Sequence, residues 1–225
     1  MKQSIIERYS QEAACCSNLS CGGALEKAAP APGEIVVDLG SGRGMDVIKA
    51  ARLVGPQGHA YGIDFTPDMV SQAEVNRQKL NIINASFLQD QIFAVDLPEK
   101  SVDVVISNCV INHAPDKGAV FAEIFRLLKT GGRMVVSDII AVQPLPPEVR
   151  NDPEAWAGCY GGAITAEEYL EAVQGAGFNS IEILEKSAPY LKGGVEVMSL
   201  TLKGIKTATA NREHASQSPK SCCQP

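Results

Sequence analysis

Two features able to do chemistry stand at matching places in this chain. The glycine-rich turn Asp38-Leu39-Gly40-Ser41-Gly42-Arg43-Gly44 follows directly on the apolar run Ile35-Val36-Val37. Cys109, in Ser107-Asn108-Cys109-Val110-Ile111-Asn112, comes just after a second apolar run, Val102 to Ile106. A glycine turn lets a ligand approach bare backbone, and a thiolate is both a nucleophile and a ligand for soft ions. Ligands of open parallel sheets collect at the carboxyl ends of the strands, so turn and thiol are expected to face one crevice. That combination points to an enzyme whose substrate is held by sulfur. A second candidate thiol, Cys159, sits in the glycine-rich stretch Gly158-Cys159-Tyr160-Gly161-Gly162-Ala163, and Cys15, Cys16 and Cys21 cluster earlier in the chain.

The glycine spacing narrows the cofactor. Gly40, Gly42 and Gly44 read G-x-G-x-G, and Met45 stands where a dinucleotide loop needs its third glycine, which disfavours a nicotinamide cofactor. Asp64 closes the next strand pattern, where its carboxylate can accept both ribose hydroxyls of an adenosine moiety. The alternative is a cap for the helix opening at Thr66-Pro67-Asp68. Asp90, in Phe87-Leu88-Gln89-Asp90-Gln91-Ile92, is placed to meet an adenine amino group or simply to be a solvated loop residue. No structural zinc pattern is present: Cys16 and Cys21 are spaced C-x₄-C without a second pair, and His59, His113 and His214 are scattered.

Alternating segments must position these groups. Ile35–Leu39, Ala60–Asp64, Val102–Ser107 and Met134–Asp138 read as short buried strands, with helices expected over Asp46–Leu53, Pro67–Leu80 and Lys117–Leu128. That alternation predicts an α/β fold with a right-handed, doubly wound parallel sheet. A helix over Ala166–Gln174 and strands over Ser180–Glu185 and Val195–Leu202 follow, and the Lys192-Gly193-Gly194 turn is expected to run the last strand antiparallel. The stiff Gln143-Pro144-Leu145-Pro146-Pro147 connector introduces a lid insertion over about 143–164. The polar stretch 206–225 is expected to be a disordered tail, ending in Cys222 and Cys223.

The chain has 225 residues, 45% of them hydrophobic, and a formal net charge of −6, which fits one core and offers no basic face for nucleic acid. No run reaches the roughly 18 apolar residues of a membrane span and the amino terminus lacks a signal-peptide pattern, so a cytoplasmic location is expected. Seven cysteines, an odd number, then read as free thiols or ligands rather than a disulfide framework.

Through Val37-Asp38-Leu39-Gly40-Ser41-Gly42, Asp64 and Leu128-Lys129-Thr130-Gly131-Gly132, the chain resembles class I S-adenosylmethionine-dependent methyltransferases. The resemblance implies a Rossmann-like, mostly parallel seven-stranded sheet with one antiparallel edge strand over residues 33–205, preceded by a helical, cysteine-bearing segment, 1–32. It implies S-adenosyl-L-methionine as cofactor, with Gly40, Ser41 and Gly42 at its methionine end, Asp64 at the ribose, Asp90, Gln91 and Ile92 at the adenine, and Tyr9, Asp38 and Asn108 as further contacts. The segments Val105–Asn112 and Gly158–Ala163, with Tyr9-Ser10 and Cys15-Cys16, resemble arsenite methyltransferases. This implies that Cys109 and Cys159 bind trivalent arsenic as the catalytic thiols, with Cys15 or Cys16 as candidate third ligand and glutathione or thioredoxin as reductant.

Trivalent arsenic is soft and prefers sulfur; once held by thiolates it keeps a lone pair able to attack a methyl carbon, and it carries no proton to remove. Other readings are a methyltransferase for a small organic nucleophile, with Cys109 merely packing, and a thiol-rich arsenical-binding protein without turnover. Where arsenite methyltransferases commonly have an apolar residue after the Asn112 equivalent, this chain has His113.

Overall fold

The computed structural model describes residues 2–13 and 22–208. Cys15, Cys16, Cys21, His214, Cys222 and Cys223 lie outside the described residues. Helices α1 (Lys2–Ala13) and α2 (Ala24–Ala28) precede the alternation β1 (Ile35–Leu39), α3 (Met45–Val54), β2 (His59–Ile63), α4 (Pro67–Lys79) and β3 (Ala85–Leu88). Next come β4 (Val102–Asn108), α5 (Lys117–Leu127) and β5 (Leu128–Ala141). The expected lid region holds the short helices α6 (Pro147–Arg150) and α7 (Pro153–Ala157); α8 (Ala166–Gly175), β6 (Ser180–Lys186), β7 (Tyr190–Lys192) and β8 (Val195–Ile205) complete the chain.

The strands lie in the order β3-β2-β1-β4-β5-β8-β6, parallel from β3 to β5, with β8 antiparallel to β5 and β6. Six of these were expected from the sequence, and with β3 they make the seven that the resemblance implies. The reversed strand belongs to the antiparallel margin of the sheet, one place inside the outermost strand β6. An eighth, β7, pairs with β8; it is three residues long with Tyr190 and Leu191 exposed, so it carries no apolar alternation to read. The chain runs outward from β1 through β2 to β3 and then returns to β4 on the other side of β1. Neighbouring β1 and β4 therefore send their connections opposite ways, and a crevice opens beyond their last shared rung, Leu39 to Ser107.

Alternating side chains bury both faces. Val36 packs with Val47, Ile48, Ala51 and Val54 of α3, while Val37 faces Phe121, Ile124 and Leu127 of α5. Each such side chain contributes about 1.5–3 kcal/mol on burial, so these positions carry stability and leave chemistry to the strand ends. Thr66 stands at the N-cap of α4 with Pro67 behind it; its side chain makes no cap hydrogen bond, and its N–H donates to the Asp64 carboxylate, 2.9 Å away. One local expectation is corrected. Lys206, assigned to the tail, is docked: its Nζ donates to the Phe125 and Leu128 carbonyls, and its backbone pairs with Gly131 and Gly132.

Candidate active site

A cavity lies beyond the carboxyl ends of β1 and β4. Its floor is the glycine turn, Gly40 to Gly42, with Asp38 and Asp64; Asn108 and Cys109 enter from β4, Tyr9 from α1, and Cys159 from the turn after α7. The fold thus gathers nine of the sequence candidates in one place. Asp90, Gln91 and Ile92 are not in its lining. Asp90 accepts the Asp96 N–H at 3.0 Å, Gln91 bridges to Ala94, and the Ile92 side chain is buried in the core.

The turn depends on glycine for two separate reasons. Gly40 has φ 74°, and a Cβ there would stand 2.4 Å from the Val110 side chain, so the turn can lie against the residue next to Cys109 only without one. Gly42 would meet nothing nearer than the Met69 sulfur at 3.9 Å, which leaves its backbone open to a ligand. The Asp64 carboxylate fixes the turn from below: Oδ2 accepts the Gly42 N–H and Oδ1 the Thr66 N–H, each at 2.9 Å. Each oxygen keeps a further lone pair, so the tie does not prevent contact with ribose hydroxyls.

Three carboxylates, Asp38, Asp46 and Asp64, line the cavity. Burial, with the charges of Asp46 and Asp64, pushes the Asp38 carboxyl well above the usual range. Lys49 pairs with Asp46 at 2.8 Å, and Arg8, Arg43 and Lys192 also line the cavity, so it offers carboxyls and cations side by side. S-adenosyl-L-methionine carries an ammonium, a sulfonium and a carboxylate, so residues and cofactor fit. Asn108 joins the walls by accepting the Ala24 N–H at 3.3 Å and donating to Asp46 at 3.4 Å.

Both thiols sit on turns with left-handed backbone, φ 56° at Cys109 and 65° at Cys159, and neither is in a disulfide. Cys109 donates its N–H to the Ser137 carbonyl, 2.8 Å away on β5. The Cys159 turn is held by Asn112, whose Nδ2 donates to the Ile139 carbonyl at 2.6 Å and the Cys159 carbonyl at 3.1 Å. Cys159 Sγ lies 3.2 Å from both Tyr9 Oη and His113 Nε2. Burial pushes the thiol up and brings the His113 imidazole down to about 4. The roles of Asn112 and His113 at the Cys159 turn escape sequence reading, which has Asn112 only as part of the Cys109 segment and His113 only as a polar residue where an apolar one is common. Beneath them, buried Lys117 donates to the Ala114 carbonyl at 2.8 Å, and Tyr169 donates to Asp138 at 2.8 Å.

Comparison with known proteins agrees with this fold. The family model described as a methyltransferase domain matches residues 30–177. An arsenite methyltransferase of Halobacterium salinarum is 44% identical over 168 residues, 75% of this chain and 43% of that protein. The human arsenite methyltransferase is 32% identical over 206 residues, 84% and 53% of the two chains. This chain therefore spans about half the length of those curated relatives. The crystal structure of an arsenic(III) S-adenosylmethionine methyltransferase from Chlamydomonas reinhardtii superposes with a TM-score of 0.74 at 30% identity, covering 89% of this chain and 74% of that one. Fold, cofactor turn and paired thiols converge on one assignment: the chain belongs to the arsenite methyltransferase family of class I S-adenosylmethionine-dependent methyltransferases.

Proposed function

We propose that the protein transfers methyl groups from S-adenosyl-L-methionine to trivalent arsenic held by Cys109 and Cys159. The observation that carries this reading is that two cysteines 50 residues apart in sequence line the same cavity as the glycine turn. The Chlamydomonas reinhardtii protein of similar structure is named for this activity. When bound, S-adenosyl-L-methionine supplies an electrophilic methyl carbon. Asp38 and Asp64 hold the cationic, ribose-bearing ligand against the turn, and the two sulfurs fix arsenic with its lone pair free. Orientation of this kind is worth about 7–11 kcal/mol in favourable cases, and the transfer itself needs no general base. Cys15 and Cys16 are candidates for a third sulfur on inorganic arsenite, and glutathione or thioredoxin for returning oxidised thiols to the reduced state.

Incubation with cofactor, glutathione and arsenite, followed by arsenic speciation, tests the reading. Methylated arsenicals are expected from the parent. Cys109→Ser and Cys159→Ser are each expected to bind cofactor and yield only background product, because a hard hydroxyl replaces a soft ligand. Parental methylation by both variants would reject the thiolate mechanism and favour a small organic substrate.

A further inference from the structure

We propose that His113 is the proton carrier for loading the substrate: it takes the Cys159 thiol proton as sulfur bonds to arsenic and hands it to the oxygen that arsenic releases. This rests on the arsenic reading above and adds a step before methyl transfer. Three polar atoms from separate parts of the chain close a triangle at the cavity wall. Tyr9 Oη lies 3.1 Å from His113 Nε2, and Cys159 Sγ lies 3.2 Å from each. The Tyr9 and His113 rings meet edge to face at 5.5 Å, so the imidazole is held in place from α1 as well as from its own turn, Ile111–His113. The Asn112 tie to the Cys159 carbonyl fixes the other side of the contact.

The electrostatics fit a proton that moves only during the exchange. Burial, then Arg8 and Lys117, disfavour a charged imidazole, and burial disfavours a free thiolate despite Tyr9, Lys192 and Arg8 nearby. In the tautomer with the ring proton on Nδ1, the Nε2 lone pair faces both Cys159 and Tyr9. When arsenite arrives, sulfur donates an electron pair to arsenic and its S–H bond breaks toward Nε2. The As–O bond breaks with its electrons on oxygen, and that hydroxide takes the proton from Nε2 and leaves as water. Arsenic stays trivalent and no other reactant is consumed. Tyr9, within hydrogen-bond reach of both partners, can donate to the departing oxygen.

Trp156, the single tryptophan, lies three residues before Cys159, and its fluorescence can follow arsenite binding by stopped flow. His113→Gln keeps size and polarity without a basic nitrogen; His113→Ala leaves room for added imidazole. Both are expected to bind cofactor like the parent and to associate with arsenite at least about tenfold more slowly, within the range of general acid–base effects. Added imidazole should restore part of the rate to the alanine variant, and the parent should associate more slowly in D₂O. Parental association rates in both variants, or no isotope effect in the parent should neither variant fold, would overturn the role of His113. A parent that shows neither a fluorescence response nor methylated arsenic would reject the arsenic reading, and this step with it.

Discussion

Removing the Asp64 side chain tests how the cofactor turn is built. Its two oxygens accept the Gly42 and Thr66 N–H groups at 2.9 Å, tying the glycine turn to the start of α4. Asp64→Ala leaves both donors unpaired, and each buried N–H without a partner costs about 1–3 kcal/mol. Burial already raises the Asp64 carboxyl above its ordinary range, so loss of a desolvated charge offsets part of this, and the cavity lets water reach the vacated space. The expectation is therefore the lower end, about 2–3 kcal/mol, or a fall in Tm of at least about 4 °C for a domain of this size. Affinity for S-adenosyl-L-methionine should drop at least about tenfold, as the turn loosens and a charge-assisted contact is lost. Asp64→Asn, which retains one acceptor, should fall between parent and alanine. Thermal denaturation without cofactor and calorimetry with it separate the two effects. An alanine variant melting within about 1 °C of the parent would show that the carboxylate does not hold the turn.

Gly40→Ala should force Val110 aside, adding about 1–2 kcal/mol of left-handed backbone cost to about 1–3 kcal/mol of overpacking; cofactor affinity should fall, and Val110→Ala in the same chain should restore part of it. Asp138 is pushed up to about 7 by burial from an ordinary 3.8, against Tyr169 and Lys117. The folded state then binds a proton that the unfolded chain has released, so stability should fall as pH rises between those values. Asp138→Asn should flatten that fall in Tm measured from pH 4 to 7, and an unchanged slope would place the titration elsewhere. Lys206→Met should lower the denaturant midpoint by the equivalent of about 1–3 kcal/mol, because two carbonyls lose their shared donor.

What the sequence disclosed, and what it withheld, follows from the range of the interactions. Ile35–Leu39 is a strand over the expected residues and Pro67 opens α4 as expected, since apolar runs and proline act within a few residues. The antiparallel last strand followed from its glycine turn. β7 did not, because its side chains are exposed and its only reason to extend is pairing with β8. Lys206 looked like tail because its polarity hides a side chain anchored on carbonyls some 80 residues away. The strand-end rule placed Cys109, Asp64 and the glycine turn around one crevice. It could not place Tyr9 against Cys159, a contact across 150 positions. Asn112 looked like a polar neighbour of Cys109, although its amide holds the opposite thiol's turn. Asp90, Gln91 and Ile92 as adenine contacts are a proposal carried by the family resemblance.

The backbone at the two thiols has a bearing on how the proposed activity can be lost. Cys109 and Cys159 occupy left-handed conformations that cost a side chain about 1–2 kcal/mol each and glycine almost nothing. Cysteine to glycine here relieves that backbone cost even as it removes the sulfur, and at Cys159 it also gives up the contacts with Tyr9 and His113. A single base change in a cysteine codon achieves the exchange. On the proposed reading, a lineage no longer exposed to arsenic could drift by this exchange into a relative that binds cofactor but no longer loads arsenic. On that reading, among sequences with an intact glycine turn, the residues at these two positions discriminate an active copy from a silent one.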